Sequence, residues 1–168
     1  MLEKKIEEAL NKQVNAEFWS AYLYLSMSLH FEHEGRTGIA NWFRIQFQEE
    51  QAHALALIDY LNARDAKVEL KAIAEVPTSW ESPKAAFEAT LEHERNVTAM
   101  INNLYAMAEE AKDFATRQKL NTFVAEQVEE EESVRQIIDD LTLVGEDGTG
   151  LLQIDRELGT RIFTAPQL

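Results

Sequence analysis

Residues 66–82 read AKVELKAIAEVPTSWES. The stretch breaks the pattern on both sides of it: it loses the helical period, contains Pro77, and ends at Ser82-Pro83. A serine followed by proline is a cap with proline at the first helical position. The flanking chain is rich in Ala, Leu, Glu, Gln and Lys, which are good helix formers. Its apolar residues recur at i, i+3, i+4 and i+7. The pattern predicts helices over about 4–33, stopped near HEGRTG, and over about 37–65. Two more follow over about 83–111 and 113–144, the last ending at Val144-Gly145. Helices of nearly thirty residues are each roughly 42 Å long. Seventeen extended residues reach about 55 Å, so the stretch 66–82 can run the whole length of a bundle. The third helix then starts at the end where the second began, while the other connections are short. The fold class read from this is all-α: a four-helix bundle over about 4–144 with one long crossover. A short fifth helix, about 149–160, follows Gly148-Thr149-Gly150, and 1–168 forms a single domain.

Composition narrows the function. There are 30 acidic and 16 basic residues, a net charge of −14. That argues against nucleic acid or an anionic membrane as partner. With no cysteine the chain has no thiolate metal site and no disulfide. The first residues, MLEKKIEEAL, lack a continuous apolar signal segment, and no apolar run approaches the ~18 residues of a membrane span. The expectation is a soluble cytoplasmic protein.

The apolar stripes are interrupted at one depth. On the first helix Ile6, Leu10, Ala21 and Phe31 share a stripe with Glu17 and Tyr24. On the second, Ile39, Phe43, Leu57 and Leu61 share one with Gln46, Glu50 and His53. On the third, Phe87, Leu91, Thr98, Ile101 and Tyr105 flank Glu94. On the fourth, Leu120, Phe123, Val134, Ile138 and Leu141 leave a gap filled by Gln127 and Glu130. One such glutamate is usually a mis-phased surface residue, but four helices showing polar residues at mid-length point to one internal carboxylate site. A buried unpaired carboxylate costs several kcal/mol, so the cluster calls for a cation or for raised pKa values. An internal echo supports this: adding 77 to Glu17, Glu49, Glu50 and His53 gives Glu94, Glu126, Gln127 and Glu130.

Helix-borne glutamates with a Glu and a His at i, i+3 suit a dinuclear carboxylate site for iron or manganese. Glu50 is placed to bridge, His53 and Glu17 to complete one metal, and Glu94 and Glu130 the other. Gln127 is a weak ligand or a hydrogen-bond donor. The stretch 125–134, AEQVEEEESV, holds five glutamates. Gln127 and Glu130 of this stretch face the site. Glu126 and Glu129 lie on its flank beside Glu49, where a solvated face and an outer metal are equally good readings. Glu131 and Glu132 are assigned to solvent or to Arg135.

The set Glu17, Tyr24, Glu49-Glu50-Gln-Ala-His53, Glu94 and Glu126-Gln127-Val-Glu129-Glu130, with a short terminal helix, resembles the bacterial non-haem ferritins over nearly the whole chain. The resemblance implies a ferritin-like bundle in a 24-subunit hollow cage. It implies ferroxidase activity, in which Fe(II) is oxidised by O2 or H2O2 at a di-iron centre and Fe(III) is stored as mineral. Glu17, Glu50, His53, Glu94 and Glu130 would carry the centre, with Gln127 beside it. Glu49, Glu126 and Glu129 would form a third iron site, and Tyr24 would supply an electron. Bacterioferritins differ in carrying a second Glu-x-x-His, where this chain has Gln127 and Glu130, and a haem-ligating methionine, where it has Gln51. No haem is expected. Two rivals stand beside this reading: a small-oligomer di-iron or dimanganese oxidase without a storage role, and a purely structural bundle with a polar core network.

Helix one is also apolar on a second face, through Tyr22, Leu25 and Leu29, which suggests an interface between subunits. Leu151, Leu152, Ile154 and Leu158 give the fifth helix an apolar side suited to a symmetry axis. His30, His33 and His93 read as surface or interface residues, and Trp19, Trp42 and Trp80 as packing residues.

Overall fold

A computed structural model describes residues 2–166. It has five helices and, among the described residues, no strand: α1 (Lys4–His33), α2 (Thr37–Ala63), α3 (Pro83–Glu110), α4 (Phe114–Val144) and α5 (Gly148–Leu158). The helix α1 packs most extensively on α2, and α3 on α4. None of the helices is long and apolar enough to cross a membrane.

The ends follow local chemistry. Ser82 caps α3 by accepting from the Ala85 amide at 3.1 Å, Asp113 caps α4, and Asp147 caps α5. The expected second helix ran to about 65, but α2 stops at Ala63. Asp65 adopts a left-handed φ of 56°, and the Ala66 amide bonds back to Leu61 at 3.0 Å, which closes the helix. The fifth helix likewise ends at Leu158, short of 160.

The crossover does run the length of the bundle, and it does so in register with α1. Asn11 and Asn15 each offer an amide that pairs with its backbone as a strand edge would. Asn11 contacts the Lys67 carbonyl at 2.9 Å and the Glu69 amide at 2.7 Å. Asn15 repeats this with Glu69 and Lys71. Farther along, Ser26 donates to the Pro77 carbonyl and Trp80 meets the His30 ring.

The core falls into two apolar clusters, one around Phe31, Phe43 and Phe87, the other around Leu10, Leu57 and Leu120. The expected stripes are corrected on two helices. On α3, Leu91, Thr98 and Tyr105 are half-buried, and Thr90, Val97 and Leu104 take the interior. On α4 the buried residue is Ile137, which borders a groove shared with Ile154 and Leu158 of α5; Ile138 is half-buried. A polar cluster ties α2 to α4 at one end. There the Arg64 guanidinium donates to both Asp113 oxygens at 3.0 Å, and Tyr60 and Thr116 complete the network.

Candidate metal centre

Between the two apolar clusters lie the polar residues that interrupt the stripes. Glu17, Glu50, His53, Glu94 and Gln127 are all buried, and Glu130 is half-buried. Donor atoms of Glu17, Glu50 and His53 all lie within 4.8 Å of one another. Helix geometry produces this: Glu50 and His53, at i and i+3, stack on one face of α2 opposite Glu17 of α1. Gln13 donates to one Glu17 oxygen at 2.8 Å, while the other, fully buried, has no hydrogen-bond partner. A buried carboxylate oxygen with no donor is costly unless a cation supplies the missing positive charge.

Glu94 enters from α3. Tyr24 donates to one of its oxygens and Gln127 to the other at 3.1 Å, so both are held by protein donors. Glu130 accepts from Gln46 at 2.7 Å. His53 is held on both ring nitrogens, with Glu50 at 3.5 Å from Nδ1 and Glu126 at 2.9 Å from Nε2. Glu126 therefore links the inner cluster to the flank, where Glu49, Glu129 and Glu130 line a groove of about 380 Å³. Glu129 is exposed. Of the remaining glutamates, Glu131 accepts from Thr98 at 2.8 Å and lies 3.8 Å from Arg135, while Glu132 is exposed.

The electrostatics carry the mark of excess negative charge. Burial pushes Glu50 well above the usual carboxyl range, against the pull of His53. Burial and then Glu130 push Glu94 up to about 7. Burial pushes Glu49 to about 7, offset in part by Arg161, and raises Glu130. Burial alone would lower His53, but Glu50 and Glu126 outweigh it and raise the imidazole well above its ordinary value. Protons on the carboxyls, the imidazolium and a guanidinium thus stand where more positive charge is wanted. Glu17, Glu50 and His53 form a candidate metal-holding cluster.

Two features escaped the sequence reading. One is Arg161, beyond α5, whose guanidinium lies 2.6 Å from Glu49, 2.8 Å from Gln46 and over the Trp42 ring. A lone arginine in a non-periodic tail gives no signal of its destination. The other is His93, expected at the surface or an interface. It is half-buried, 2.8 Å from the Ser20 hydroxyl, with its ring against Trp19 and Tyr24, and burial lowers its pKa to about 4. His33 is exposed, and Trp19, Trp42 and Trp80 pack in or against the first cluster.

A family model described as a ferritin-like domain matches residues 7–144. A bacterial non-heme ferritin of Bacteroides fragilis is 43% identical over 161 residues, covering 96% of this chain and 100% of the relative. One of Staphylococcus aureus is 38% identical over 163 residues, 97% and 98% of the two chains. Among solved structures, an open-pore ferritin from the hyperthermophilic archaeon Archaeoglobus fulgidus superposes with a TM-score of 0.95 at 49% identity. It covers 96% of this chain and 100% of that one. An engineered closed form of the Archaeoglobus fulgidus ferritin gives 0.96 at 50%, over 98% and 100%.

Proposed function

This chain belongs to the ferritin family, and from that premise we propose that it is a ferroxidase and iron store. Fe(II) is the substrate, O2 or H2O2 the oxidant, and Fe(III) mineral the stored product. The observation that carries the reading is the convergence of Glu17, Glu50 and His53 within 4.8 Å, with one buried Glu17 oxygen lacking any protein donor.

In this reading Glu50 bridges two irons. Glu17 and His53 hold one, and His53 releases a proton as it binds. Glu94 and Glu130 hold the other, Glu94 giving up its own proton and Glu130 leaving Gln46. Gln127 keeps Glu94 oriented, and Tyr24, in contact with Glu94, supplies an electron to the oxidation. Glu49, Glu126 and Glu129 bind a third iron beside the centre. No haem takes part. The working unit is a homo-oligomeric cage of 24 copies in the cytoplasm, each copy a single ferritin-like domain over 1–168, whose first and last residues lie outside the described ones. Tyr22 and Leu29 of α1, 48% and 55% exposed, supply an apolar face for contact between copies.

Aerobic loading with several hundred Fe(II) per oligomer, followed by size-exclusion chromatography for iron and protein together, tests this. A cage of 19.2 kDa subunits elutes near roughly 460 kDa with iron far beyond three per chain. A small oligomer retaining about two irons per chain would overturn storage and leave the centre standing.

A further inference from the structure

The chain beyond α5 returns to the centre it has left. Gly38, at the start of α2, lies against the backbone of α5, and the Ile39 amide donates to Asp155 at 2.9 Å. Asn41 holds the tail through the Leu158 and Arg161 carbonyls at 3.3 and 3.0 Å. Arg161 is thereby laid along α2. Its guanidinium sits 4.6 Å from the Trp42 ring centroid and donates to Gln46 at 2.8 Å, to the Trp42 carbonyl at 3.3 Å and to Glu49 at 2.6 Å. Gln46 in turn donates to Glu130 at 2.7 Å. Residues 164–166 then form one wall of the groove whose other wall is Glu49, Glu126, Glu129 and Glu130.

We propose that Arg161 is a tethered competitor for the outer metal: its guanidinium neutralises Glu49 until an incoming cation displaces it. The inference rests on the iron-handling reading above and assigns a role to a residue outside the ligand set. Arginine suits this task. It stays charged at every working pH and stacks on an aromatic ring, and its planar fork contacts two acceptors at once. It has no lone pair for a metal, so it can only yield Glu49 and never share in the coordination. The exchange adds one positive charge to a groove lined by four glutamates: a univalent organic cation leaves as a divalent metal ion enters. Gln46 is freed by the same step, which loosens its hold on Glu130 of the inner centre. Filling the outer position and readying an inner ligand are thus linked through one side chain. Because only molecules with Arg161 displaced can accept the outer metal, its apparent affinity is lowered by the displaced fraction.

The test is binding rather than turnover. Zn(II), which has no redox chemistry, is titrated calorimetrically into the assembled protein and into its Arg161→Gln variant. The expected result is that the inner stoichiometry stays at about two ions per chain while the outer step tightens by about tenfold in the variant. Tryptophan emission followed during the wild-type titration should change at the outer step as the guanidinium leaves the Trp42 ring, and this signal should vanish in Trp42→Phe. Inner binding intact with an outer step that is unchanged or weaker in Arg161→Gln would overturn the competitor role alone. So would an outer step that leaves Trp42 emission unaltered in the wild type. Loss of inner binding in the wild type would overturn the iron-handling reading itself.

Discussion

Two polar clusters join α2 to the fourth helix, and they solve the same problem in opposite ways. In the Arg64–Asp113 cluster the carboxylate receives the guanidinium, the Thr116 amide and the Thr116 hydroxyl. Burial would raise Asp113, but these donors outweigh it and hold the carboxyl below its ordinary value. In the centre of the bundle Glu50, Glu94 and Glu130 are all pushed upward, and Glu17 keeps a buried oxygen with no donor. The first cluster is complete as protein alone, and acts as a helix cap and clamp. The second has more acceptors than the chain provides positive charge. That deficit, more than the number of glutamates, separates a structural carboxylate from a candidate cation site.

Removing ligands should have the largest effect. The double variant Glu50→Ala, Glu94→Ala should slow the fast phase of Fe(II) oxidation by about a hundredfold or more in stopped-flow absorbance, beyond the ~10–100-fold expected for supporting residues. An unchanged fast phase would place the centre elsewhere.

Acidity should separate the clusters next. Glu49 and Glu94 have an ordinary value of 4.5 and are each pushed to about 7 in the fold. Between those values the folded chain binds more protons than the unfolded one, so stability falls as pH rises through the window. The thermal midpoint of metal-free protein should therefore drop by several degrees from about pH 5 to about pH 7.5, and saturating Zn(II) should flatten the slope. Asp113 behaves oppositely: its contribution is present above its ordinary 3.8 and is lost only as pH falls through its lower folded value.

Single substitutions sharpen the contrast in sign. Asp113→Ala removes a cap and leaves Arg64 without its carboxylate, and should cost about 1–2 kcal/mol in denaturant unfolding. Glu94→Gln should instead raise the thermal midpoint of metal-free protein, because it removes a buried charge that Glu130 repels. A lowered midpoint there would mean that Glu94 is satisfied like Asp113. The smallest effect is expected of Tyr24→Phe, which frees one Glu94 oxygen from its donor. The oxidation rate should fall by about two- to tenfold, through loss of this hydrogen bond and of the electron that Tyr24 would supply.

Much of this was legible in the residues. Pro77, Pro83 and the glycines punctuate long regular helices, and the 66–82 stretch is too long for any turn, so the bundle and its crossover follow from spacing. The burial of Glu17, Glu50, His53, Glu94 and Gln127 was visible because polar residues stand on apolar stripes at one depth. What escaped has physical causes. On α4 the stripe holds at Val134 and Leu141, but two adjacent isoleucines lie between them and sequence spacing alone does not decide which turns inward. The expected stripe landed on Ile138 where Ile137 is buried. The phase slipped similarly on α3. The Asn11 and Asn15 contacts join segments more than fifty residues apart through short polar side chains that have no period. Arg161 lies beyond the last helix, where only the three-dimensional path of the tail says what it meets.

That path begins at a residue with no side chain at all. A Cβ on Gly38 would stand 1.5 Å from the Asp155 carbonyl oxygen, so any other residue there would pry α5 from its seat. Eleven positions, about 16 Å along the helix, separate Gly38 from Glu49. A methyl group at one end of that distance would swing a positive charge away from the other. Gly38 is the fulcrum of a lever whose far tip is a guanidinium, and steric bulk at the fulcrum would be read out as electrostatics at the tip.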